Sequence, residues 1–177
     1  MVKKWGALSQ LTIYNRKVEG ALNYLISEFG FLVDTNYTPD PIFDNNGSQI
    51  PQNGKFYNIY QSDLPNLAQR SELTKINNEW MVNVNGNMQT PREGAYTFVT
   101  QDGKIYIGEG RDPYHIDLSG GSAVDYAGEL QLSNVGGKIE VTEWSNSSGH
   151  YKPIADYKEQ SGLSPATFRD ASQWFIF

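Results

Sequence analysis

The stretch from Ala95 to Gly108 constrains the chain most. Two strand-forming runs, Ala95 to Thr100 and Lys104 to Gly108, flank Asp102-Gly103. An Asp-Gly pair accepts the positive φ angles of a tight turn whose twist matches that of antiparallel strands, so this segment is committed to a hairpin. The pattern recurs. Residues 126–132 and 138–144 enclose Asn134-Val135-Gly136-Gly137, and the alternating run Trp80-Met81-Val82-Asn83-Val84 ends in Asn85-Gly86. Phe56 to Tyr60 alternates as well. Strands this closely spaced, joined by turns this short, predict a mainly antiparallel sheet across the middle of the chain.

Helical signals sit at the two ends. Leu8, Leu11, Tyr14, Val18, Leu22, Leu25 and Phe29 recur at three- and four-residue steps, predicting a helix over 8–29 with Ser9 as cap and Gly30 as stop. A short strand, Phe31 to Val33, should follow. Ser62 is placed to cap a short helix through Leu67, and Ser164-Pro165 to start one running toward Trp174-Phe175. The expected class is α+β: a mainly antiparallel sheet from central hairpins, packed by an N-terminal helix and short C-terminal helices. At 177 residues, with no internal repeat, the default is a single domain over 1–177. Within it, 1–90 holds the helix, a long Asn/Pro-rich loop and the first strands. Residues 91–153 form a hairpin-rich module expected to carry function, and 154–177 a helical tail. The loop, Asp34 to Gly54, exceeds the usual connection of about 4–6 residues and is read as either lid-like or without a role.

Composition removes several chemistries. There is no cysteine, so disulfides, thiolate nucleophiles and cysteine metal sites are excluded. The two histidines, His115 and His150, cannot make a three-histidine metal site; a minor option pairs them with Glu129, but no metal is expected. The net charge of −6 argues against broad nucleic-acid binding, which needs clustered Lys and Arg. No run of about 18 apolar residues occurs, so no membrane-crossing helix is expected. Met1-Val2-Lys3-Lys4-Trp5 starts positive, but Ser9, Gln10, Asn15 and Arg16 break up the apolar stretch a leader would need next, so no classical signal peptide is read in this segment. With 8 Phe, 11 Tyr and 4 Trp against an apolar fraction of only 38%, the core should rest on large rings.

Chemistry-bearing residues concentrate between Tyr96 and Pro153. His115 follows Pro113-Tyr114 in an expected loop, Glu129 alternates to the face opposite Leu130 and Leu132, and His150 follows Gly149, which permits an unusual backbone conformation. Each has an ordinary structural reading beside the functional one. A loop histidine is commonly just a polar group, a strand glutamate faces solvent, and Gly120-Gly121 makes a turn. Ser119, Ser148 and Tyr151 are common turn residues, and Arg111 beside Asp112-Pro113 makes a surface ion pair.

The order His115-x4-Gly120-Gly121, Ala127-Gly128-Glu129, a strand pair, then Ser148-Gly149-His150-Tyr151-x-Pro153 resembles a module at the C-termini of bacterial polymorphic toxins and related secreted effectors. It is also similar to part of the plant calmodulin-binding proteins that carry an IQ motif. The resemblance covers residues 96–153, about a third of the chain. That pattern has two serines after its histidine, where Ile116 and Asp117 stand here, so no hydroxyl role beside His115 carries over. No IQ pattern is present, so calmodulin binding does not carry over either. The resemblance implies a toxin- or effector-like domain of bacterial origin, delivered or secreted without a classical signal peptide here, or otherwise cytoplasmic, with a cognate immunity protein as partner.

Three functions fit these residues. The first is an enzyme acting on a nucleotide-type substrate, by NAD glycohydrolysis or ADP-ribosyl transfer, with His115, Glu129 and His150 catalytic. Arg111, Ser119, Gly120, Gly121, Ser148 and Tyr151 would then bind the substrate, and NAD would be consumed as substrate, no cofactor being required. The second is a metal-independent RNase with His115 and His150 as acid and base, which the net charge disfavours. The third is a non-catalytic protein- or sugar-binding module. A pocket shared by His115, Glu129 and His150 favours catalysis; separate placement favours binding.

Overall fold

The structure, a computed structural model, describes residues 38–60, 62–66, 70–110 and 113–172. The chain divides into two units, Met1–Thr38 and Pro39–Phe177, and the elements below belong to the second. The helix expected over 8–29, the strand Phe31 to Val33, Arg111 and Trp174-Phe175 lie outside the described residues.

The expected class holds: mostly antiparallel sheet with few helices. A two-stranded ribbon pairs β1 (Ile42–Phe43) with β2 (Gln49–Ile50). The main sheet contains β3 (Ser71–Ile76), β4 (Glu79–Val84), β5 (Asn87–Gln89), β6 (Gly94–Gln101), β7 (Lys104–Glu109), β8 (Tyr126–Val135), β9 (Lys138–Ser145) and β10 (Phe168–Arg169). Its order is β10-β9-β8-β6-β7-β3-β4-β5, with only β10 and β9 parallel. The hairpin turns Asn77-Asn78, Asn85-Gly86 and Asp102-Gly103 place both residues at positive φ, as does Gly136-Gly137, which supplies the two-residue turn inside the longer segment expected.

One face of the sheet carries the core. Leu73 lies opposite both Val82 and Ile105, Phe98 opposite both Ile107 and Gly128, and Leu130 opposite both Tyr96 and Trp144. Large rings do dominate: Trp144 packs near edge-on against Phe98 and Tyr126, at 6.0 and 5.9 Å between centroids, and lies 4.7 Å from Phe168. The sheet curls so far that the β3–β4 and β8–β9 hairpins meet, with Lys138 Nζ 2.9 Å from Glu79 Oε1 and Lys75 Nζ 3.8 Å from Glu140 Oε2. These pairs are exposed and contribute little energy, but they mark the closure.

Several local expectations are corrected. Ser71–Ile76 is a strand that the sequence pattern does not announce. Phe56 to Tyr60 forms no strand: Phe56 makes one isolated bridge to Val124 and buries its ring wholly. Residues 62–66 are not helical. His115 opens a helix, α1 (His115–Ser119), instead of lying in a loop. The Ser164-Pro165 start gives only a 3₁₀ turn, Pro165–Thr167, because the chain then extends into β10 beside β9. Another 3₁₀ segment spans Ala155–Ser161. The described part of the long loop holds the β1–β2 ribbon. It is pinned there by Gln49, whose buried amide donates to Tyr57 O and Tyr151 O at 2.8 Å each and accepts from Tyr57 N–H at 2.6 Å.

Candidate functional site

Short-range geometry builds α1. Asp117 reaches back to accept the Tyr114 N–H at 2.9 Å, and its other oxygen accepts the Asn66 N–H at 2.6 Å, tying segment 62–66 to the helix. Gly120, at φ 64, ends the helix in the left-handed conformation, and Gly121 N–H donates back to Ile116 O at 3.0 Å. Leu118 is fully buried, on the side of the sheet where Gly108 leaves room for it and for Pro113.

Most of the sequence motif forms an internal knot. His115 is buried and its Nε2 lies 2.9 Å from Gly128 O. A carbonyl only accepts, so Nε2 carries the proton. Burial pushes the imidazole down to about 4, with nearby His150 adding to the effect, so His115 is neutral near pH 7. A side chain at Gly128 would overlap the Ser145 carbonyl, which explains a glycine inside a strand. The Ser119 and Tyr151 hydroxyls meet at 2.6 Å, and their two protons are shared between this contact and the carbonyls of Ile116 and Ser122, at 2.9 and 2.8 Å. Ser148 is buried; its Oγ accepts the Tyr151 N–H at 3.3 Å and its carbonyl the Lys152 N–H at 3.0 Å. The positive φ in this loop falls on Lys152, at 42°, and not on Gly149. The motif therefore encodes ties between α1, β8 and the loop 146–153.

His150 differs from these residues. It projects from that loop into a cleft of about 510 Å³ lined by Ser62, Asp63, Asn66, Tyr114, Asp117 and others. Its Nε2 is 3.5 Å from Asp63 Oδ2. The Tyr60 ring stands perpendicular to it at 5.8 Å and the Tyr114 ring tilts at 52° and 6.0 Å. Both tyrosines are exposed, and Leu64 on the same rim is 89% exposed. The loop itself is braced from below, because Ile59 N–H donates to His150 O at 2.9 Å and Gln49 holds Tyr151 O.

Glu129 lies elsewhere. It is half-buried on β8 opposite Thr97 and lines a separate hollow of about 140 Å³ with Gln131, Glu143 and Ser145. The structure thus brings His115, Ser119, Gly121, Ser148 and Tyr151 together as supports, places His150 above them in the cleft, and leaves Glu129 outside it. Gly120 and Gly121 are exposed turn residues, Gly121 beside Pro65. Tyr60, Asp63, Tyr114 and Gln49 do not stand out in the sequence. Only Tyr114, adjacent to His115, carries a local signal. Among the described residues no group of three His, Asp or Glu is disposed to hold a metal ion, and no helix is long and apolar enough to cross a membrane.

Compared with known proteins, the chain matches no family, no curated protein and no solved structure.

Proposed function

We propose that the chain is an effector-type recognition module whose cleft around His150 holds a neutral sugar, free or as part of a larger glycan. One observation carries this reading: two exposed tyrosine rings flank a carboxylate–imidazole pair in a cleft whose described lining includes no Lys or Arg. Aromatic rings offer flat apolar platforms to sugar C–H faces, while Asp63, Asn66, Ser62 and His150 offer acceptors and donors for hydroxyls. With no Lys or Arg among the described lining residues, Asp63 and Asp117 disfavour phosphorylated ligands such as NAD or RNA. Glu129 and buried His115, being outside the cleft, cannot share the chemistry of His150 there. The ordered motif supports the effector class, and with it a bacterial origin and an immunity partner.

Saturation-transfer NMR with neutral mono- and oligosaccharides tests the reading. Binding should fall at least about tenfold in Tyr114→Ala and in Asp63→Asn, each losing one contact class. Absence of any sugar signal, or binding indifferent to both substitutions, overturns it.

The His150–Asp63 pair favours a second reading, in which the bound sugar is also turned over. A histidine oriented by a carboxylate is suited to acid–base proton transfer. Expression in a bacterial cell separates the two readings. Toxicity abolished by His150→Ala assigns an activity to that imidazole, and a harmless wild type leaves recognition alone.

A further inference from the structure

The core face of the curled sheet continues to the end that carries β5. There a cavity of about 320 Å³ opens among β4, β5, β6 and β7, and it shares no lining residue with the His150 cleft. Its floor is apolar: Val82, Tyr96 and Ile107, at 7%, 7% and 2% exposed, with Val84 beside them. Two opposite charges stand at its mouth, Arg92 and Glu109, both exposed. Among the described residues, neither makes an ion pair, with the other or with a third group.

The backbone that carries Arg92 is fixed on both sides. Tyr96 OH donates to Arg92 O at 3.0 Å, and the neighbouring Glu93 accepts the Asn134 N–H at 2.9 Å. Pro91, just before it, is buried. Glu109 is fixed by the β6–β7 ladder, where Gly108 lies opposite Thr97. A guanidinium and a carboxylate thus stand on pinned backbone at the rim of a hollow with an apolar floor and a polar mouth that Ser71, Gln89 and Thr90 share, a common place for ligands in a rolled sheet.

We propose that this mouth is a second ligand site, taking a free amino acid with an apolar side chain. The ligand carboxylate pairs with Arg92, whose planar fork suits two parallel N–H···O bonds, and its ammonium pairs with Glu109. The side chain lies on Val82, Val84 and Ile107. A purely anionic amphiphile would meet Glu109 as a like charge, and a purely cationic one would meet Arg92. Only a zwitterion satisfies both.

Methyl and amide NMR titration of the whole chain with L-leucine, N-acetyl-leucine and leucinamide tests this. Leucine should shift the Val82, Val84 and Ile107 methyls and bind at least about tenfold more tightly than either derivative. Arg92→Gln should erase the preference for leucine over leucinamide. Glu109→Gln should erase the preference over N-acetyl-leucine. Both side chains are exposed, so the variants keep the wild-type spectrum away from the cavity. No methyl shift at about 10 mM leucine, equal binding of the three compounds, or a preference unchanged in both variants overturns the proposal. So does tighter binding of N-acetyl-leucine than of leucine, which would make the site one for anionic amphiphiles.

Discussion

The two histidines sit within electrostatic reach of each other and have opposite surroundings. His115 has traded water for one backbone carbonyl, and its neighbours Ser119, Tyr151 and Gly128 are satisfied inside the protein. His150 faces a cleft with an exposed carboxylate and two exposed rings. The first region spends its polar groups on holding backbone in place; the second leaves polar groups open to a partner. Residue types that look equally chemical in a sequence therefore divide by whether their hydrogen-bonding capacity is already used. If that division is right, changes in the His115 region should act on stability, and changes in the His150 region on ligand or activity.

The largest expected effect is at Gly128. A methyl group there overlaps a backbone carbonyl that cannot swing aside, so Gly128→Ala must separate β8 from the end of β9. A loss above about 3 kcal/mol is expected in urea unfolding. A near-neutral Gly128→Ala would show that the knot is loosely packed and would remove the contrast with the cleft.

Acid should act next most strongly, and with a defined sign. The folded protein holds His115 at about 4, against 6.5 for an ordinary histidine, so between those values the unfolded chain binds the extra proton. Stability is then full above about pH 6.5, falls as the pH drops toward 4, and loses about 3 kcal/mol over that window. Carboxylates also titrate near its lower end, so the measurement is the difference between wild type and His115→Gln. The variant should lack the slope above pH 5. Parallel curves would mean that His115 is not held neutral by burial.

The legibility of the fold follows the same division between local and distant causes. The β4–β5, β6–β7 and β8–β9 hairpins are readable because a two-residue turn needs positive φ, and Asn-Gly, Asp-Gly and Gly-Gly announce it. The β3–β4 turn uses Asn77-Asn78 without glycine, and β3 fully buries only Leu73, so neither its turn nor its alternation stands out. A five-residue helix such as α1 is shorter than the window over which helical periodicity can be seen. Both histidines stand out in the sequence as residues of interest, yet nothing near them along the chain distinguishes the buried one from the one that faces the cleft. Asp63 and Tyr60 are brought to His150 by the ties of Gln49, Ile59 and Asp117, which no local pattern encodes.

The smallest effect on stability is expected at His150, and it decides how the comparison ends. Its only polar side-chain partner among the described residues is an exposed carboxylate at 3.5 Å, and its loop is held by backbone bonds that do not involve the imidazole. His150→Ala should therefore change unfolding free energy by no more than about 1 kcal/mol, the cost of losing ring contacts with Tyr60 and Tyr114. The same substitution should weaken sugar binding in the NMR experiment, because the cleft loses a hydrogen-bonding group. A stability loss as large as that of Gly128→Ala, with sugar binding intact, would make His150 a second structural histidine and move the search for a ligand to the Arg92–Glu109 mouth.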